Sequence, residues 1–443
     1  MKISKFTSVH SHNGETILFN SESERLIVLD AALEKIYNQY AAHPVELEKV
    51  HPDFLKALKD YRFIVPQDAD EAEILIQRWE QKDADPSNFG IIINPTLNCN
   101  LRCWYCYESH ENTQMMNEAT RKAVYRLIEE KTADPQLKML NVSFFGGEPL
   151  LFLKENVLPI LHFASELCLS KGITLYSNFT TNAVLLTDEV IETLNALPLG
   201  KKPTFQITLD GNREVHDQTR IGINKKPTYD IILNHIFSAL KHGNEVHVRF
   251  NYTYDNILTF NDVLEDFRTM GLNAYNPILF IKFEHVWQDS KNDSKSKPLM
   301  RKIRDAFEDA GFDVGTDDIH FRHVCYADSP RKVVINYNGD VFKCTARDFT
   351  PDKREGVLNE EGCICWNDKY TRRMAFRYGN VACRHCIILP ICNGSCTQNK
   401  LEAGNTETCY FGMTEKGKQA YLKARIEEII RKKMKTVTQK TDK

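Results

Sequence analysis

Residues 94–110 read NPTLNCNLRCWYCYESH and place three cysteines, Cys99, Cys103 and Cys106, within eight positions. A β-rich run, GIIIN (90–94), leads into them, and a helical run, NEATRKAVYRLIEEK (117–131), follows. The alternation continues. Further β-rich runs are NVSFF (141–145), TLYSNFTTN (174–182), PTFQITLD (203–210), EVHVRFNYTY (245–254) and ILFIKFEHV (278–286). Helical runs lie between them: VLPILHFASELCLSK (157–171), TDEVIETLNAL (187–197), YDIILNHIFSALKHG (229–243) and NDVLEDFRTMG (261–271). Such regular units predict a parallel, barrel-like α/β sheet wrapped by helices. In such barrels chemistry sits at the C-terminal ends of the strands. The unusual residues fall there. The cysteines follow the first strand, GGEP (146–149) follows the second, TTN (180–182) ends the third and LDG (209–211) ends the fourth.

A chain of 443 residues can bury a sizeable core and suggests two or three domains. Its formal charge of -3 gives no reason to expect a nucleic acid partner. No apolar run approaches the roughly 18 residues of a membrane span, and MKISKFTSVHSHNGE has no signal-peptide core. These features place the protein in the cytoplasm, with no membrane partner. That compartment keeps thiols reduced, so the thirteen cysteines are not read as disulfides. Three sit at 99–106, Cys168 stands alone, and nine lie between Cys325 and Cys409. Clustered thiols in a reducing compartment point to metal.

Residues 1–85 form a small α+β module: TILFN and RLIVLD are strand-like, AALEKIYNQY and DFLKALKDY helical, and QKDADPSN a connection. The barrel occupies 86–315. Residues 316–412 lose the strand–helix alternation and carry Gly and Asn turns (NYNGDVFKC, CNGSC), as expected of a domain organised by bound metal. The last segment, 413–443, is a helix (TEKGKQAYLKARIEEIIRKK) ending in a solvated basic tail that frays at the terminus.

Thiolates at short spacing hold zinc or iron–sulfur clusters. The first trio lacks a fourth cysteine nearby, although His110 could complete a zinc site. A 4Fe–4S cubane held by three cysteines would leave one iron open. Cys-x3-Cys-x2-Cys after the first strand of a partial barrel resembles the radical S-adenosylmethionine (SAM) superfamily. In that family the open iron chelates SAM, and one electron from the cluster cleaves it to methionine and a 5′-deoxyadenosyl radical. The cofactor supplies this chemistry; the protein orients it and excludes water. The resemblance implies a partial (β/α)6 TIM-like barrel. It also implies roles for single residues. Gly147 and Glu148 of GGEP would bind the amino group of SAM, and Tyr105 would touch the adenine. Thr208 and Arg220, in TLDGNREVHDQTR (208–220), would contact its ribose and carboxylate. Asp210 and His216 are read as shaping that loop.

The second set runs Cys325-x13-Gly339-x4-Cys344, then Cys383-x2-Cys386-x5-Cys392-x3-Cys396, then Cys409. Downstream of such a barrel it resembles the SPASM domain, which carries two auxiliary 4Fe–4S clusters. The family's interleaved ligation would assign Cys325, Cys344 and Cys396 to the first and Cys383, Cys386, Cys392 and Cys409 to the second, making three clusters in all. Cys168 is read as a buried small hydrophobe. Cys363 and Cys365 are free thiols or supplementary ligands.

The expected function is that of a radical SAM/SPASM oxidoreductase: a maturase that abstracts hydrogen from a ribosomally made precursor peptide (a RiPP) and installs a thioether or carbon–carbon crosslink. The N-terminal module would recognise a leader peptide by strand addition. An electron donor such as flavodoxin or ferredoxin is implied. The alternatives are an anaerobic sulfatase-maturing enzyme, which makes formylglycine from Cys or Ser, and a cluster-bearing scaffold without catalysis.

Overall fold

The computed structural model describes residues 1–108, 114–315, 325–404 and 407–441, so His110 lies outside the described residues. It contains two compact units, each assembled from separate stretches of chain: Asp85–Ile319 with Ser329–Thr371, and Met1–Ala84 with His320–Asp328 and Arg372–Lys443.

The barrel unit is built on six parallel strands, Asn88–Asn94, Met139–Phe144, Thr174–Thr181, Thr204–Leu209, Val246–Tyr252 and Leu279–His285, neighbours in chain order. All six coincide with the β-rich runs of the sequence to within two residues. The sheet does not close. Asp313–Val314 extends the sixth strand's edge. The first strand's free edge instead takes Lys332–Asn336 in parallel, followed by the antiparallel strands Asp340–Phe342, Gly356–Leu358 and Ile364–Trp366. The result is a partial barrel with a meander attached.

Helices Glu118–Thr132, Leu158–Lys171, Asp188–Asn195, Tyr229–Lys241 and Phe260–Thr269 cover the outer face. Two of their starts are fixed locally: the Asn117 side chain accepts from the Thr120 amide and Thr187 from the Val190 amide, satisfying first-turn donors. A further helix, Asp293–Asp309, contains Pro298, which reads as a breaker; Met300, Ile303 and Phe307 nevertheless hold helical spacing and are buried. Ile91, Ile93, Val142, Phe144, Phe179, Phe205, Ile207, Phe250 and Phe283 point into the core beneath these helices. Each is worth roughly 1.5–3 kcal/mol of burial. Cys168 belongs to the same core.

In the other unit, Thr7–His12, Glu15–Asn20 and Arg25–Leu29 make a three-stranded antiparallel sheet. Its first hairpin turns at Asn13-Gly14, both with positive φ (52° and 85°), the pair that suits a two-residue turn. Leu18 and Leu29 pack with Phe54, Leu55 and Leu58 of helix Pro52–Asp60. Phe6 and Trp79 pack with Leu389, while Ile17 and Phe19 pack with Ile388, Ile391 and, from helix Glu415–Thr441, Leu422 and Ile426. The N-terminal module, the second cysteine segment and the last helix thus share buried apolar surface. Among the described residues, no helix is long and apolar enough to cross a membrane.

Candidate functional site

The loop leaving the first barrel strand carries Cys99, which is buried, and Cys103 and Cys106, which are half-buried. GGEP holds this loop by its backbone. Gly147 N donates to Thr96 O at 3.1 Å and Glu148 N to Asn98 O at 2.8 Å. Gly146 has φ +106°, and a Cβ on Gly147 would stand 2.0 Å from Asn98 O. The glycines are therefore needed for close approach to the cysteine loop itself. Glu148 is fully buried. It accepts from Leu150 N (3.0 Å), Thr181 Oγ1 (2.8 Å) and Asn182 N (2.7 Å), tying the second strand's exit to the third's. An ionised carboxylate offers about four acceptor positions, so capacity remains for a further donor. Asn182 continues the chain of contacts, donating to Asn100 Oδ1 at 2.6 Å.

Burial pushes the Cys99 thiol up to about 12 and Cys106 up to about 11, and it raises Cys103. Thiolates here need a compensating cation, as iron would provide. Among the described residues no three His, Cys, Asp or Glu side chains converge closely enough to hold a single metal ion.

Tyr105 sits at the centre of a polar network. Its hydroxyl donates to Asp210 (2.8 and 2.9 Å) and accepts from Asn251 Nδ2 (3.0 Å) and Arg220 Nη1 (3.1 Å). Arg220 Nη1 also lies 3.3 Å from Asp210 Oδ2, and both side chains are buried. Arg220 stands opposite Cys103 in a short antiparallel pair. Its Nε is buried with no hydrogen-bond partner, a donor suited to an anionic ligand. Burial raises the Asp210 carboxyl, opposed chiefly by Arg220, while the nearby thiol, phenol and carboxyl hold the Arg220 guanidinium charged. His216 Nδ1 accepts from Asp210 N at 3.4 Å, and burial keeps its imidazole neutral, so this side chain supports the loop. Asp210→Asn is expected to destabilise the fold by about 3–5 kcal/mol, because it leaves the Arg220 charge buried without its carboxylate. Urea denaturation checks this, and Asp210→Asn with Arg220→Met should recover part of the loss.

The inner face of the barrel is polar. Along the fourth strand Phe205, Ile207 and Leu209 are buried toward the helices, while Gln206 and Thr208 on the other face are half-buried. Register aligns Thr208 with Arg249 and Lys282, and Asn251 with Glu284. Asn178 Nδ2 donates to Asn141 Oδ1 at 3.0 Å, and Arg249 Nε to Asn251 Oδ1 at 2.8 Å. A closed barrel fills this space with Val, Ile and Leu; here an open polar lining leads up to Tyr105. The sequence carried a signal for it. NVSFF, FQITL and VHVRFNY alternate polar and apolar residues, unlike strands buried on both faces.

In the other unit Cys383, Cys386, Cys392 and Cys409 line one cavity together with Lys418 and Met413. Burial pushes Cys392 up to about 12 and raises Cys383 and Cys386. Cys396 immediately precedes helix Thr397–Ala403 in the same unit, which also contains Cys325; Cys344 follows strand Asp340–Phe342 of the barrel unit. Cys363 and Cys365 are exposed.

Residues 93–270 match the model of the Radical SAM superfamily. The cysteine-type anaerobic sulfatase-maturating enzyme of Clostridium novyi (strain NT) is 23% identical over 347 residues, covering 71% of this chain and 89% of that protein. The structure of anSMEcpe with bound AdoMet and the Cp18Cys peptide superposes with a TM-score of 0.58 at 16% identity, over 78% of this chain and 99% of that one. Streptococcus suis SuiB bound to S-adenosylmethionine superposes with a TM-score of 0.51 at 16% identity, over 91% of this chain and 97% of that one. The cysteine loop and GGEP both lie within the stretch, residues 93–270, that is similar to the Radical SAM superfamily.

Proposed function

We propose that this enzyme is a peptide maturase that abstracts hydrogen from a ribosomally made precursor and installs a crosslink, thioether or carbon–carbon. A 4Fe–4S cluster with SAM supplies one-electron cleavage of the sulfonium and the hydrogen-abstracting radical. Cys99, Cys103 and Cys106 would hold that cluster. Gly147 and Glu148 would receive the amino group of SAM, and Glu148 keeps an acceptor position for it. Tyr105 would flank the adenine, Thr208 the ribose, and the Arg220 Nε the carboxylate. Cys383, Cys386, Cys392 and Cys409 would bind an auxiliary cluster. The polar barrel lining would receive the peptide segment.

The observation that carries the reading is the three-stranded sheet before the barrel. Its outer strand, Arg25–Leu29, pairs on one side only among the described residues, and Val28 on it is 43% exposed. A leader peptide adding to that edge would gain main-chain hydrogen bonds. The sulfatase-maturing alternative draws on the extended similarity to anSMEcpe, which spans 78% of the chain, against 91% for SuiB.

Purified enzyme with SAM, dithionite and peptides from short reading frames beside its gene tests the proposal by mass spectrometry. A mass loss of two hydrogens per crosslink supports it. Formylglycine formed on a sulfatase peptide, with no crosslink on any such precursor, overturns it. Val28→Glu places a charge on the open edge. It should reduce precursor processing, because a charge on an edge opposes strand addition, while uncoupled formation of 5′-deoxyadenosine stays near wild type. Deleting the whole module is a poorer test, because Phe6, Ile17, Phe19 and Trp79 pack against the cysteine segment and last helix.

A further inference from the structure

Basic side chains are buried in the unit that holds the four-cysteine cavity. Lys400 (2% exposed), Arg377 (4%) and Arg373 (1%) are enclosed with Asp328 (3%). Arg377 Nη1 donates to Asn393 O at 2.9 Å, and its Nε lies 3.6 Å from Asp83 Oδ2. A buried ammonium such as that of Lys400 is stabilised by an anion close by.

Lys400 shows where that anion would be. Its Nζ lies 3.6 Å from the place a Cβ would take on Gly394. Gly394 is a wall of the cavity lined by Cys383, Cys386, Cys392 and Cys409, and its carbonyl oxygen lies 4.0 Å from Cys383 Sγ. Lys418, also buried, lines the same cavity, with its Nζ 2.5 Å from the exposed Glu415 carboxylate. One lysine stands behind the cavity wall and a second on its lining.

We propose that Lys400, assisted by Lys418, sets the reduction potential of the iron–sulfur cluster held by Cys383, Cys386, Cys392 and Cys409. The inference rests on the reading of those four cysteines as cluster ligands. A cubane with four thiolate ligands is an anion, and reduction by one electron adds a further negative charge without a bond or proton changing hands. A fixed ammonium behind the cavity wall stabilises the reduced form more than the oxidised form, and little water intervenes to screen it. The potential is held up, which suits a cluster that accepts the electron released when a substrate radical closes a new bond.

The test is a redox titration, followed by electron paramagnetic resonance, of the reconstituted full chain. Cys99, Cys103 and Cys106 are all changed to Ala, so that only the downstream clusters report. Lys400→Met should keep the iron content and move one midpoint to more negative potential. Lys418→Met should move the same midpoint in the same direction by less, and Lys400→Arg should restore it. Iron retained with every midpoint unmoved in Lys400→Met overturns the inference. Should that variant fail to fold, an unmoved midpoint in Lys418→Met does so. Full iron content after Cys383→Ala with Cys392→Ala is a different failure: it overturns the ligand assignment beneath the inference.

Discussion

Cys103→Ala is expected to abolish 5′-deoxyadenosine formation from SAM and dithionite, a loss of at least about a thousandfold, as when a catalytic constellation loses an essential member. Cys103 ends the strand Leu101–Cys103, whose partner strand begins at Arg220, the residue opposite it. The substitution therefore removes a proposed iron ligand at the point where the buried Tyr105–Asp210–Arg220 network meets the cysteine loop. Two thiols should not retain a cubane. If the three cysteine groups each hold one, wild-type chain contains about twelve irons and the variant about eight. Iron and sulfide assay after anaerobic reconstitution reads the difference. The downstream cysteines should keep their share, because Cys383, Cys386, Cys392 and Cys409 line their own cavity in the other compact unit. Cleavage at the wild-type rate, or stoichiometric zinc with little iron, would sink the assignment of the first trio.

The fold was legible because each barrel strand carries its own local pattern. Ile91 and Ile93, or Phe205 and Ile207, mark strands whichever neighbour they pair with, and order along the chain became order in the sheet. The site's location was legible for the same reason: residues at strand ends must meet at one rim. What was hidden depended on contacts between distant segments. Nothing near Val334 announces that Lys332–Asn336 pairs with Asn88–Asn94, since a buried apolar strand suits many partners. Helix 293–309 was masked by Pro298 and its charges. Within the site, the cysteines and GGEP stand out as rare patterns. Asn251 is a common residue whose meaning lies in what it touches. Glycines can be read from sequence as permitting close approach, but only the fold shows that Gly147 approaches the cysteine loop's own backbone.

That approach yields the second large effect. Gly147→Ala adds one methyl group, yet its Cβ would stand 2.0 Å from Asn98 O and 2.5 Å from both Asn98 C and Leu97 O. These are backbone atoms of the loop carrying Cys99, not the tip of a side chain that could swing aside. Either the loop moves or the bonds from Gly147 N to Thr96 O and from Glu148 N to Asn98 O break. Overpacking of this kind costs about 3 kcal/mol where backbone must shift. The catalytic consequence should exceed that cost in stability. A displaced loop misplaces Cys99, and Glu148 would leave its bonds to Thr181 and Asn182. Reconstituted Gly147→Ala is therefore expected to lose about four irons per chain with SAM cleavage near background, while remaining folded by circular dichroism. Gly90→Ala is the control on the same sheet. Its Cβ would meet only side-chain carbons of Lys332, the nearest at 3.2 Å, and a flexible lysine can give way. That variant should keep its iron and its activity. Wild-type iron content and cleavage in Gly147→Ala would show that the cysteine loop does not depend on GGEP for its position.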